Sequence, residues 1–318
     1  MPDNTPVREA AAASWAFVTP SYAGDYERCL LLCRSMDEFL TGDWHHYIIV
    51  DKPHYEMFRH LDGARRSVWL TDDVVPIKMR LILTLPFLGG RSVWWSREIG
   101  FSIGWHVQQM VKLRMAHLVE HQGLAYLDSD CFFLRPFDTA GMQKNGKLRF
   151  YRSEKAHPVG QMGMNGSFLR ISRKMLGLPP SATDHDYVDN FVTWHREEVL
   201  ALCDHLGRRH GGSWLRAFRN RIQVSEYSLY GLYADEIDSA KNKIYIDTNR
   251  LCRTIWDGKA LNAHDLEVFC QELGPHEVSV GIQSFLGADL KLLEQQFELA
   301  KARYSQTGKP KKVGLQRA

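Results

Sequence analysis

The sequence is poor in cysteine, in long apolar runs and in charge of one sign. Its six cysteines, Cys29, Cys33, Cys131, Cys203, Cys252 and Cys270, form no C-x-x-C pair. That argues against a zinc ribbon or a disulfide scaffold and for reduced thiols in a cytoplasmic protein. No apolar run exceeds the one from Leu81 to Leu88, which is far too short to span a bilayer as a helix. Lys plus Arg is 40 against 37 for Asp plus Glu, a net charge of +3. So small a surplus gives no concentrated basic face, and no nucleic acid is expected as a partner. Asp3, Arg8 and Glu9 interrupt the stretch where a signal peptide needs a basic start and then an apolar run. The 318 residues contain no internal repeat and no Pro- or Ser-rich linker, so one domain is expected. The tail carries Lys301, Arg303, Lys309, Lys311, Lys312 and Arg317 without an acid. It reads as a solvated terminus, with at most peripheral contact to an anionic membrane face.

Strand and helix patterns alternate at the start. Trp15 to Thr19 and Tyr47 to Val50 read as strands, with a helix from Tyr26 to about Leu40 between them and Asp25 as its cap. Val68 to Leu70 is a third strand, which points to a parallel α/β sheet. The Gly- and Trp-containing stretch from Leu81 to Gly104 reads as a long loop. Trp105 to His121 is helical, closed by Gly123. Leu124 to Leu127, Leu148 to Tyr151, Ser167 to Ile171, Ile244 to Ile246 and Val278 to Ile282 are expected strands. Helices are expected over Asp189 to Leu206, over Glu226 to Ile237 with Ser225 as N-cap, and over Asp289 to Tyr304.

The most informative stretch is Tyr126-Leu127-Asp128-Ser129-Asp130-Cys131-Phe132-Phe133. An apolar strand delivers two carboxylates, one residue apart, at the edge where α/β sheets gather ligands. Two such acids repel each other unless a positive charge joins them. A hard divalent cation, Mn²⁺ or Mg²⁺, suits carboxylate and phosphate oxygens and can bridge to a diphosphate. A solvated Asp-Ser-Asp turn is the plain alternative.

With the strand VTPSY, the strand ending at Asp51 and the block YLDSDCFFLRPF, the sequence resembles a GT-A glycosyltransferase. More narrowly, WHVQQMVKL, YLDSDCFFLRPF, NFVTWH and SEYSLYGLY resemble a bacterial family of uncharacterised glycosyltransferase-like proteins, DUF6492. The resemblance implies a single GT-A (Rossmann-like) α/β domain with a mostly parallel central sheet flanked by helices. Its bounds would be 15–290, between an extension at 1–14 and a C-terminal helix and basic tail at 291–318. It implies a nucleotide-sugar donor, a divalent metal and a glycan or other hydroxyl acceptor, in building a surface polysaccharide or glycoconjugate.

The resemblance also suggests residue roles. Thr19, Ser21, Tyr22 and Asp51 would meet the nucleoside, although each also reads as part of an ordinary strand-exit turn. Gln108 and Lys112, four apart on one helix face, would meet the donor with Asp128. Asn190, Trp194 and His195 would line an acceptor or sugar pocket, with Asp189 beside them as a catalytic acid. Glu226 would be the general base, or merely a partner of a helix dipole. A third metal ligand beside Asp128 and Asp130 would come from His264 or, better placed, His276. Two rivals stand: a sugar nucleotidyltransferase, disfavoured because the first strand is followed by Gly24 alone and no Gly-rich loop, and a non-catalytic nucleotide-sugar-binding protein.

Overall fold

The computed structural model describes residues 12–75, 80–85, 91–221, 223–237, 242–259 and 261–305. Four strands form the parallel part of its central sheet: β1 (Trp15–Ser21), β2 (Trp44–Val50), β3 (Arg66–Leu70) and, after the first helices, a strand at Gly123–Leu127. Every residue of β1 is buried, as expected of a strand covered on both faces. Its side chains alternate between two cores. Trp15 and Phe17 face one core with Leu31, Leu32 and Met36, and Ala16 and Val18 face the other. The helix supplying those three residues, α1 (Tyr26–Phe39), also buries Cys29 and Cys33.

The expected loop from Leu81 to Gly104 is instead a three-stranded antiparallel sheet: β4 (Arg80–Leu85), β5 (Arg91–Ser96) and β6 (Gly100–Ile103). The residues at 86–90 lie outside the described part. The Val, Trp and Phe of these segments are strand formers that outweigh the scattered glycines. β6 runs directly into α2 (Gly104–Met115), which is shorter than its apolar pattern suggested. Gly123 does not end that helix. It opens β7 (Gly123–Leu127), where a Cβ would lie 2.3 Å from the Trp15 ring. A short strand, β8 (Cys131–Phe133), and then β9 (Lys147–Tyr151) follow.

Two further expectations change. Ser167 to Ile171 is no strand but the middle of α3 (Gly163–Leu176). Phe168, Leu169, Ser172, Met175 and Leu176 bury one helical face, and Gly177 closes it with φ +75°. The stretch from Asp189 is not helical at first. It forms β10 (Phe191–His195), antiparallel to β7, before α4 (Arg196–Arg209). The β-branched and aromatic run FVTWH favours a strand, and Glu197 and Glu198 mark the helix's first turn. The five-stranded order is therefore β10–β7–β1–β2–β3.

The remaining elements are α5 (Glu226–Leu232), β11 (Ile244–Asp247), β12 (Cys252–Ile255), α6 (Ala263–Gln271), β13 (Ser279–Ile282) and α7 (Leu290–Ser305); β12 and α6 match no expected element, and the other four follow the pattern. Ser225 caps α5, its hydroxyl accepting from the Ser228 N–H. β13 lies between β12 and β8 in a second small sheet. The result is a mixed α/β fold with a mostly parallel central sheet and helices on both faces.

Candidate active site

The parallel strands end together. Ser21 pairs with Val50, so Tyr22 and Asp51 leave β1 and β2 side by side. Val18 pairs with Tyr126, so Asp128 and Asp130 emerge at the same edge. Phe191 pairs with Leu127 in antiparallel register, which sets Asn190 across from Asp128. Strand order alone thus gathers Tyr22, Asp51, Asp128, Asp130, Asp189 and Asn190 at the carboxyl edge, where open α/β sheets bind ligands.

Asp130 is buried. Its Oδ2 accepts the Ser284 N–H at 3.0 Å. Burial, then the charges of Asp128 and Asp25, push its pKa up to about 7. Asp25, expected only as a helix cap, makes no capping bond. It accepts the Ser129 hydroxyl at 2.9 Å instead. Burial, and then the charge of Asp25, raise the pKa of the Tyr22 hydroxyl. Arg28 fastens this corner, donating to the carbonyls of Ile282 (3.3 Å) and Ala288 (2.9 Å).

Lys112 lies on the other side of Asp128. Its ammonium, buried, is 2.9 Å from Glu226, 2.6 Å from the Tyr227 hydroxyl and 3.4 Å from Asp128. It also sits 4.4 Å above the Tyr227 ring. Burial opposes its charge, but Asp128, Glu226 and Tyr227 outweigh burial and hold its pKa well above the ordinary value. Glu226 is therefore a buried ion-pair partner at the helix start, not a lone acid. Tyr227, which reads as core from the sequence, is buried and also binds the lysine.

The third group is polar, buried and without ordinary hydrogen-bond partners among the described residues. Neither carboxylate oxygen of Asp189 has one, nor does either amide atom of Asn190 or of Gln109. Burial pushes the Asp189 pKa up to about 7 even though Arg250 and Arg149 draw it down. Groups of this kind are costly unless a ligand or water completes them.

Several expected residues lie elsewhere. Gln108 is on the exposed side of α2, and its neighbour Gln109 shares the buried face with Lys112. The sequence spacing i, i+4 was satisfied by one glutamine and the packing chose the other. The Thr19 hydroxyl is committed to His46 at 2.9 Å inside the sheet, and the Ser21 side chain is buried. Trp194 is core: its ring is 4.4 Å from Tyr126 and stacks on Tyr230 at 4.6 Å. His195 pairs with Gly123, at the amino end of β7 and so the far edge of the sheet from Asp128. His276 precedes β13, whose opposite end, Ile282, donates to the Asp130 carbonyl at 3.2 Å. It is not brought to the carboxylates, and His264 lies in the first turn of α6.

Among the described residues no three His, Cys, Asp or Glu side chains are grouped so as to hold a metal. The donor chemistry nevertheless fits a hard cation shared with a ligand. Asp128 and Asp130 offer oxygens only, and the burial and neighbouring charge that raise the Asp130 pKa are what a bound cation would offset. A cation there would take its remaining positions from the ligand rather than from a closed protein cage. Asp25, Gln109, Ser284 and Tyr227 were missed by sequence reasoning. Only Asp25, just past the first strand's carboxyl end, carried a signal that could have found it.

No curated protein matches the chain. Among solved structures it is similar to the crystal structure of mouse xyloside xylosyltransferase 1, apo form, at 9% identity and a TM-score of 0.45, over 84% of this chain and 97% of that one. Residues 16–288 match the model of a family of unknown function, DUF6492, and the chain belongs to that family.

Proposed function

We propose that the protein is a glycosyltransferase that moves a sugar from a nucleotide-sugar donor to a hydroxyl of a glycan or other acceptor, with Mn²⁺ or Mg²⁺ held by Asp128 and Asp130. One observation carries the reading. A mutually repelling carboxylate group at the carboxyl edge of a parallel sheet stands beside buried polar side chains that lack partners. When bound, the cation would neutralise charge on a departing diphosphate.

The chain's own residues would do the rest. Tyr22 and Asp51, adjacent at the strand ends, suit the nucleoside. Asn190 and Gln109 each offer a donor and an acceptor, and Asp189 a carboxyl, for sugar hydroxyls. Lys112 presents a fixed positive charge beside Asp128, oriented by Glu226 and Tyr227. A cytoplasmic role in building a surface polysaccharide or glycoconjugate accords with this reading. No helix among the described residues is long and apolar enough to cross a membrane.

Nucleotide-sugar panels with Mn²⁺, read by thermal shift and donor hydrolysis, test the proposal. At least one donor should raise the melting temperature only with metal present, and Asp130→Ala should abolish that shift while remaining folded. A shift unchanged in Asp130→Ala, or no response to any nucleotide sugar, would overturn it.

A further inference from the structure

Where its side chains are described, the β5–β6 hairpin turns one face to the core and the other outward. Trp94 packs against the core and pairs with buried Ser102. Trp95 and Phe101 are cross-strand partners on the opposite side of the pleat, 37% and 63% exposed, and Trp105 follows at 39%. Two large aromatics paired on one exposed strand face, with a further exposed Trp at the start of the next helix, its ring 5.4 Å from Phe168, are not ordinary surface.

The flank of this face is cationic. The Asn220 N–H donates to the Ile99 carbonyl at 3.3 Å, and its Oδ1 would lie 2.6 Å from a Cβ on Gly100. That contact brings the segment around Arg216, Arg219 and Arg221 to the β5–β6 turn, which itself carries exposed Arg97. From 205 to 225 the sequence has five arginines and no acid. The nearby acids Glu98 and Asp204 line a cavity of about 690 Å³ together with Arg208 and Trp214.

We infer that this face docks on an anionic lipid bilayer. Trp is favoured where one side of the ring system is apolar and the other wet, and arginines beside it gain from a negative surface. Trp95, Phe101 and Trp105 would enter the interfacial layer, and Arg97, Arg216 and Arg219 would meet phosphate headgroups. Charge complementarity selects the lipid surface over a neutral partner. Trp105 lies seven residues before Lys112, about 10 Å along α2. Docking would therefore set the carboxylate cluster close to the bilayer.

The test is co-sedimentation of the full chain with phosphatidylcholine vesicles and with vesicles also containing phosphatidylglycerol. The protein should pellet with the anionic vesicles only, and less so as salt rises. Arg216→Ala and Arg219→Ala, both exposed, should each weaken partitioning by about fivefold. Trp95→Phe plus Trp105→Phe should bind but lose quenching by brominated lipid, and Phe101→Ser should lose binding. Equal pelleting with both vesicles, no pelleting with either, or binding lost only on removing residues 306–318 would overturn the inference. Because the vesicles carry neither donor nor acceptor, such a failure leaves the transferase reading intact.

Discussion

Asp189 shows what burial does to an acid. Asp189 is fully buried, and its pKa rises from 3.8 to about 7. Between those values the folded protein holds a proton that the unfolded chain has released. Stability from this group is thus complete near pH 4, falls as pH rises and levels off above about pH 7. Asp189→Asn should remove that slope. Its melting temperature should exceed the parent's at pH 8, by the equivalent of a few kcal/mol at roughly 1.4 kcal/mol per pH unit, and converge with it near pH 4. A parallel pH profile would show that the carboxyl is not held protonated. Glu226 is buried too, but its carboxylate lies 2.9 Å from the Lys112 ammonium. Breaking a buried ion pair costs roughly 3–5 kcal/mol, so Glu226→Gln should lower the melting temperature and weaken donor binding through Lys112. A fall in turnover of about 10²–10⁴ with both unchanged would instead identify a general base.

At the scale of elements, β13 meets the residue leading into β10 through a glycine. A Cβ on Gly281 would lie 2.5 Å from the Asn190 amide nitrogen and 3.2 Å from both the Cys131 sulfur and the Thr254 hydroxyl. Gly281→Ala should therefore push Asn190 out of place. Overpacking of this kind costs about 1–3 kcal/mol, read as a lower denaturant midpoint, and donor affinity should fall with it. Unaltered donor affinity would place Asn190 outside the binding surface. Elements also account for the sequence's misreadings. FVTWH joined to REEVL reads as one helix because no Gly or Pro separates them, yet the chain changes from β10 to α4 at His195. Ser167 to Ile171 is apolar enough for a strand. Only the longer pattern out to Leu176 shows the helical face that the core selects.

For the whole molecule, the sparse cysteines behave as the sequence suggested. All six are free and buried. The native protein should react slowly with a thiol reagent, six thiols should titrate in denaturant, and reductant should leave the melting temperature unchanged. Rapid labelling of the native state would contradict this packing.

The amino-acid pattern alone determined the alternation of strand and helix through β3, the capped start of α5, the closing helix, and the delivery of Asp128 and Asp130 by an apolar strand. Those features depend on neighbours within a few residues, and periodicity records them. Tertiary structure decided which side chains share the edge. Gln109 rather than Gln108 faces inward, Trp194 serves the core, and His276 falls at the wrong end of its strand. Asp25, Ser284 and Lys112 meet the acids from distant parts of the chain. Such proximity follows from strand order and helix rotation, which bring together residues 260 positions apart, as Arg28 and Ala288 are, and no local pattern encodes it.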